Sequence, residues 1–177
     1  MKILDVGCGL KTKKEGAIGL DIRKSPNVDV VHDLDLFPYP FNDNEFDYIE
    51  MSHIIEHVRK PLDVMNEIYR ISKEGAQIRV ITPHYTSQLS YGDMEHFHRF
   101  GYITFKTLQD SGCFRIKKHK LHFIDFYKVF GISLLANLFL RRWEKYLSFI
   151  FPAMYIEVFL EVINKGEGGD LKGRYVY

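Results

Sequence analysis

The sequence predicts an α/β domain built on a largely parallel sheet, and three observations predict it. Short apolar, β-rich runs recur along the first half of the chain, separated by turn residues. A segment of helical period lies between two of them. The first two runs are joined through glycines, and the second ends in an acid. At 177 residues, 46% hydrophobic and 15% aromatic, the chain has the material for one well-filled core rather than a disordered polymer.

Residues 2–6 form the first run and break into Gly7-Cys8-Gly9; residues 17–20 form the second and end in Asp21. Parallel neighbours normally need a crossover of about a dozen residues. The link 10–16 is shorter, which predicts a loop or a single helical turn. Residues 27–33 read as a third short strand ending in Asp33. Pro38, Pro40 and Asn42-Asp43-Asn44 make 34–44 a loop, and 45–52 is a fourth strand. Pro61 opens a helix, where its missing N–H costs nothing. Leu62, Met65, Ile68 and Tyr69 give that helix its apolar face, and Gly75 is expected to stop it. Residues 76–82 are a fifth strand, ended by Pro83. The stretch 84–100 is polar and aromatic; 104–111 reads as a short helix, 114–123 as a strand, 126–147 as an apolar helical stretch with basic punctuation, and 155–163 as a last strand. The glycine-rich residues 165–177 are expected to be a flexible tail.

Glycines let backbone approach a ligand where a Cβ would clash. An acid at the tip of the following strand can accept two hydrogen bonds from a ribose diol. Gly7, Gly9 and Asp21 therefore read as a nucleoside site at the carboxyl end of the sheet.

The formal net charge is +1, so no general affinity for nucleic acid is expected, and no DNA partner. The charge is uneven, with 13 Lys/Arg against 17 Asp/Glu in 1–114 but 8 against 2 in 115–145. Two cysteines, Cys8 and Cys113, are too few for a disulfide framework and point to reduced thiols. With no signal peptide read at the start, a cytoplasmic location is the expectation. The longest apolar run, near 129–140, is short of the about 20 residues that cross a bilayer.

The motifs 4–9, Gly19-Leu20-Asp21, Asp33-Leu34, Phe46-Asp47-Tyr48-Ile49 and His53-Ile54-Ile55-Glu56-His57 fall in the order of the class I S-adenosylmethionine-dependent methyltransferases, which the chain resembles closely over 1–82 and loosely beyond. Residues 67–75 resemble the end of the family's helix before strand five. The resemblance implies a single domain over 1–177 with a Rossmann-like sheet of order 3-2-1-4-5-7-6 and strand 7 antiparallel. It implies three α/β/α layers with reduced N-terminal helices, since the helix family members carry before strand one is not seen. It implies S-adenosyl-L-methionine as cofactor and S-adenosyl-L-homocysteine as product. Gly7, Cys8 and Gly9 would meet the amino-acid end and Asp21, with Ile22, the ribose. Asp33 would accept from the adenine amino group, Leu34 would lie on the ring, and Ser52 and His53 beside the cofactor. Asp5 would order the glycine turn and share in binding. Thr12 replaces the third glycine of the dinucleotide pattern, which speaks against a nicotinamide cofactor.

Methyl transfer from a sulfonium needs alignment and water exclusion, and a base only if the acceptor loses a proton as it attacks. His53 and His84, expected at the carboxyl ends of central strands, are the candidates. Cys8 reads as a small turn residue, because no cation is placed to lower its pKa. His53, Glu56 and His57 share one face if a helical turn follows strand four. The reading taken is structural and metal-free, with Glu56 capping backbone and His57 packed under the sheet. The competing one is a metal site completed by His84, His96 or His98. Similar segments bind a divalent ion in ubiquinone-biosynthesis O-methyltransferases and small-RNA 2′-O-methyltransferases, which have Glu at the place of His53.

The acceptor expected is a small molecule or a lipid- or sugar-like group, covered by an acceptor-side or lid region over 84–160. A non-catalytic cofactor-binding subunit and an RNA methyltransferase are the alternatives. The stretch 126–147 is expected to be buried as a lid and homodimer face, with a membrane surface as the other reading.

Overall fold

The computed structural model describes residues 1–9 and 13–165. Seven strands form one sheet: β1 (Ile3–Val6), β2 (Ala17–Asp21), β3 (Val30–Val31), β4 (Phe46–Ser52), β5 (Ser72–Pro83), β6 (Phe114–His122) and β7 (Tyr155–Val162). Their order is β3-β2-β1-β4-β5-β7-β6. β7 runs antiparallel to both neighbours, and the other adjacent pairs are parallel. The sheet is the one expected. Of the expected loop 10–16 between β1 and β2, residues 13–16 carry no helix; residues 10–12, and all of the expected tail 165–177 but its first residue, lie outside the described residues.

The helices are α1 (Pro61–Ile71), α2 (Gln88–Gly92), α3 (Tyr102–Asp110), α4 (Asp125–Val129), α5 (Ile132–Leu138) and α6 (Leu140–Tyr146), with a single 3-10 turn at Ile55–His57. α1 buries Val64, Met65, Ile68, Tyr69 and Ile71, whereas Leu62, expected on that face, stays exposed. α1 ends at Ile71, four residues before the expected stop at Gly75. Ser72 ends it, donating to the Ile68 carbonyl from its backbone N–H and, at 2.6 Å, from its hydroxyl. The chain then enters β5 directly. Gly75, at φ +76°, lies where the register jumps from Phe46–Ser72 to Tyr48–Gln77. It serves a bulge, which needs the left-handed conformation glycine adopts cheaply. The expected helical stretch 126–147 is three short helices, interrupted at Gly131 (φ +71°) and at Phe139.

Strand alternation divides the sheet's faces. Leu4, Val6, Ile49, Met51, Ile78, Val80, Ile156, Val158 and Leu160 join side chains of α1, α3, α5 and α6 in one buried cluster. The alternate positions carry charge. Lys14 Nζ lies 3.9 Å from Glu50, Arg79 donates to Glu50 at 2.6 Å and to Glu157 at 2.7 Å, and His122 Nε2 lies 2.8 Å from Glu157. Among the described residues no helix joins β1 to β2 or β2 to β3. The expected reduction of helices is thus seen in these N-terminal links, and the sheet face opposite the apolar cluster is polar, with Asp5, Glu50 and Glu157 buried on it.

Candidate functional site

The site is built where β1, β2 and β4 end. Gly7 (φ +70°) turns the chain out of β1, and its N–H donates to the Leu20 carbonyl at 2.8 Å. A Cβ on Gly7 would lie 2.5 Å from Ile54 Cγ1, so the left-handed turn and the close approach of the loop after β4 both require glycine. Asp21 closes the turn: Oδ2 accepts the Gly9 N–H at 2.9 Å and Oδ1 the Arg23 N–H at 2.8 Å. Ser25 Oγ donates to the Gly9 carbonyl at 3.0 Å.

A cavity of about 680 Å³ opens above this turn. Gly7, Cys8, Gly9, Asp21, Ile22, Ser52 and His53, all singled out from the sequence, line it together. So do Ser25, Ile54, Glu95 and Phe97, which the sequence reading did not assign, and His57, which it read as packed under the sheet or as a metal ligand; Glu95 and Phe97 reach it from a stretch with no periodic signal. Asp5 lies to one side. Its Oδ2 accepts the Lys14 N–H at 2.9 Å, burial raises its pKa, and it lines a neighbouring cavity of about 360 Å³ with Glu50 and Arg79. Burial, reinforced by Asp5 and Asp21, pushes the Cys8 thiol up, the reverse of what a nucleophile needs.

Asp33 and Leu34 are not among the residues lining the cavity. Asp33 Oδ1 accepts the Asp35 N–H at 2.9 Å, and Leu34 is buried in the core, its carbonyl accepting the Tyr39 hydroxyl.

The two candidate bases separate. His53 has φ +54°, sits at the end of β4, faces the cavity and is braced by the Tyr155 ring at 4.9 Å. His84 is fully buried, with Nε2 3.1 Å from Glu144 Oε1 and Nδ1 2.7 Å from Thr86 Oγ1. Both ring nitrogens are engaged away from the cavity. Glu144 Oε1 also accepts the Tyr102 N–H at 2.7 Å, so α6 caps α3 through this carboxylate.

Glu56, His57 and His96 place potential ligand atoms within 4.8 Å of one another. Glu56 is 1% exposed; its Oε2 accepts the Thr82 hydroxyl at 3.0 Å, but Oε1 accepts no hydrogen bond. His53 Nδ1 lies 3.4 Å from that oxygen without hydrogen-bond geometry. His96 Nδ1 is likewise buried without a partner. His98, the other candidate, lies apart, with Nε2 3.1 Å from the Arg59 carbonyl. The structural reading expected Glu56 to cap backbone groups; instead its carboxylate accepts only the Thr82 side-chain hydroxyl.

Residues 4–80 match the family model described as a methyltransferase domain. No protein of curated function matches the chain. Among solved structures, it is similar to an S-adenosylmethionine-dependent methyltransferase from Archaeoglobus fulgidus, with TM-score 0.63, 20% identity, and coverage of 90% of this chain and 85% of that one. It is similar to another from Mesorhizobium loti, with TM-score 0.57, 13% identity and 90% coverage of each chain. The [4+2]-cyclase SpnF shares the fold at TM-score 0.58 and 15% identity, over 92% of this chain and 74% of that one. At these identities the likeness is one of fold.

Proposed function

We propose that the chain is an S-adenosylmethionine-dependent methyltransferase, a reading supported by the class I sheet order and by the match of residues 4–80 to the methyltransferase-domain family, and that it methylates a small molecule or a lipid- or sugar-like group beside His53. The observation that carries the reading is His53 itself, which lines the 680 Å³ cavity at the end of β4 together with Gly7 and Asp21.

The residues fit the cofactor. The Asp21 oxygens each hold one backbone N–H, and an ionised carboxylate retains further lone pairs for two ribose hydroxyls. The Gly7–Gly9 turn offers a cradle that a side chain would fill. The volume is that of an ordinary small-molecule pocket. When bound, the cofactor supplies a methyl group already activated on a sulfonium. The chain's own residues then bind, align and exclude water. Gly7 and Gly9 admit the amino-acid end, Asp21 fixes the ribose, and Phe97 offers an apolar wall. His53, with Nδ1 toward Glu56, leaves Nε2 to take a proton from an acceptor hydroxyl or amine.

A second reading is favoured by the two unpartnered buried atoms, Glu56 Oε1 and His96 Nδ1. A divalent ion held by Glu56, His57 and His96 would satisfy both, and would stand next to the cavity wall formed by His53 and His57.

The proposal is tested with methyl-labelled cofactor, supplied with an organic extract, a water-soluble small-molecule extract and total RNA in parallel. Label is expected in one of the first two, lost in His53→Gln while S-adenosylhomocysteine affinity holds. Label in RNA alone would sink the small-molecule reading.

A further inference from the structure

The segment after β6 turns its apolar side chains outward. On α5, Ala136 is buried and Asn137 is tied to β6: its Oδ1 accepts the Leu121 N–H at 2.7 Å and its Nδ2 donates to the Leu121 carbonyl at 3.0 Å. The opposite positions, Leu134, Leu135 and Leu138, are 59–65% exposed. A helix on a protein core shows the reverse polarity. The helix packs against α4 and α6, which continue the pattern. Phe126 and Phe130 are exposed on and just after α4, their rings 4.9 Å apart, and Phe149 is 76% exposed just beyond α6. So large an apolar surface marks a docking site. Within one chain, these apolar side chains of 126–147 stay uncovered.

The charges of the same segment identify the occupant. Arg141, Arg142 and Lys145 are exposed, and none has a carboxylate partner among the described residues. Of the two acids in 124–150, Asp125 is paired with Lys128 at 2.8 Å, and Glu144 is turned inward to His84. The surface is therefore apolar with unbalanced cations and no acid to offer. A second copy would meet it through the same patch, as a two-fold interface requires, and would bring those cations against each other. An anionic lipid surface complements both features at once, apolar side chains entering below the headgroups and cations meeting phosphate. No helix among the described residues is long and apolar enough to cross a membrane, so the contact is with a surface.

We infer that α4, α5 and the segment around α6 dock this protein on anionic bilayers, Phe126, Phe130, Leu134, Leu135 and Leu138 inserting while Arg141 and Arg142 hold the headgroups. The inference does not depend on the identity of the methyl acceptor.

The full chain is floated with vesicles of mixed phosphatidylglycerol and phosphatidylcholine, and with vesicles of phosphatidylcholine alone. Binding to the anionic vesicles is expected to exceed that to the neutral ones by at least about tenfold, and to fall with added salt, as screened surface charge must. Leu134→Ser with Leu135→Ser, and Arg141→Glu with Arg142→Glu, should each reduce flotation by at least about tenfold, since neither an apolar nor a basic signal alone anchors firmly. Calorimetry with S-adenosylhomocysteine shows that each variant is folded. Wild-type protein that stays at the bottom of both gradients would overturn the inference. So would a wild-type dimer, seen by sedimentation, that either pair of substitutions converts to a monomer.

Discussion

The Asp21 carboxylate accepts the backbone N–H of Gly9 at 2.9 Å, so the acid at the tip of β2 shapes the glycine turn as well as facing the cavity. Asp21→Ala therefore removes the turn's anchor together with two charge-assisted bonds to the ribose, each worth about 1.5–3 kcal/mol. S-adenosylhomocysteine binding should weaken at least tenfold by calorimetry, with the melting transition still cooperative. Unchanged affinity would take Asp21 out of the cofactor site.

The cluster of Glu56, His57 and His96 predicts a bound divalent ion. Purified protein should carry close to one equivalent by elemental analysis, and chelator should lower its melting temperature. Glu56→Gln and His96→Ala should each reduce Co²⁺ affinity by about tenfold or more, because either removes one ligand of a shared site. Metal-free protein indifferent to chelator would leave the cluster a packing arrangement around Thr82.

Glu144 predicts a stability effect remote from the cavity. Glu144→Ala strips the buried His84 of its Nε2 partner and α3 of its cap, which should cost on the order of 3 kcal/mol in urea unfolding. Glu144→Gln keeps an acceptor and should cost less. Gly101→Ala should destabilise too, because its Cβ would lie 2.5 Å from Glu144 Oε1 and 2.7 Å from the Tyr85 ring. A neutral Glu144→Ala would show the buried pair to be unimportant.

Burial lowers the pKa of His119 to about 4, its ring lying 5.0 Å from that of Tyr102 and its Nε2 buried without a partner. The unfolded chain takes up this proton first, near the ordinary value of 6.5. Stability from this residue is whole above about pH 6.5 and is lost as pH falls toward 4. The loss should be on the order of 2 kcal/mol after allowance for solvent screening at the sheet edge. His119→Phe should flatten the profile over that window in urea titrations at fixed ionic strength. A wild-type profile that is already flat there would exclude the residue.

The strands were readable because each run carries its own period and its own turn residues, whereas their order in the sheet came only from the family resemblance. His84 shows a signal that was present and unused: the alternation that buries Ile78, Val80 and Thr82 also turns residue 84 inward. α1 was misread at its end because Gly75 is a good stop signal, but the hydroxyl of Ser72 reached the last turn first. His96 meets Glu56 across 39 intervening residues, and no local pattern encodes that distance; the meeting is made by the Phe97 N–H donating to the Glu56 carbonyl at 2.9 Å. That the leucines of α5 turn outward was not legible, because their spacing is the same whichever way the helix is turned. Only the Asn137 bonds to β6 decide its rotation.

The polar sheet face links Glu50, Arg79, Glu157 and His122 across β4, β5, β7 and β6 by charge, while the other face is bound by apolar contact. Although burial raises it, hydrogen bonds from His122 and Arg79 bring the Glu157 carboxyl below its usual range. Glu50 and Glu157 are only 8% and 6% exposed, so salt screens these pairs far less than it would surface ones. Acid reaches them instead, because protonating a paired carboxylate removes its attraction. The strands are a seam between an oily laminate and an ionic one, and falling pH loosens only the side that holds Asp5 under the glycine turn.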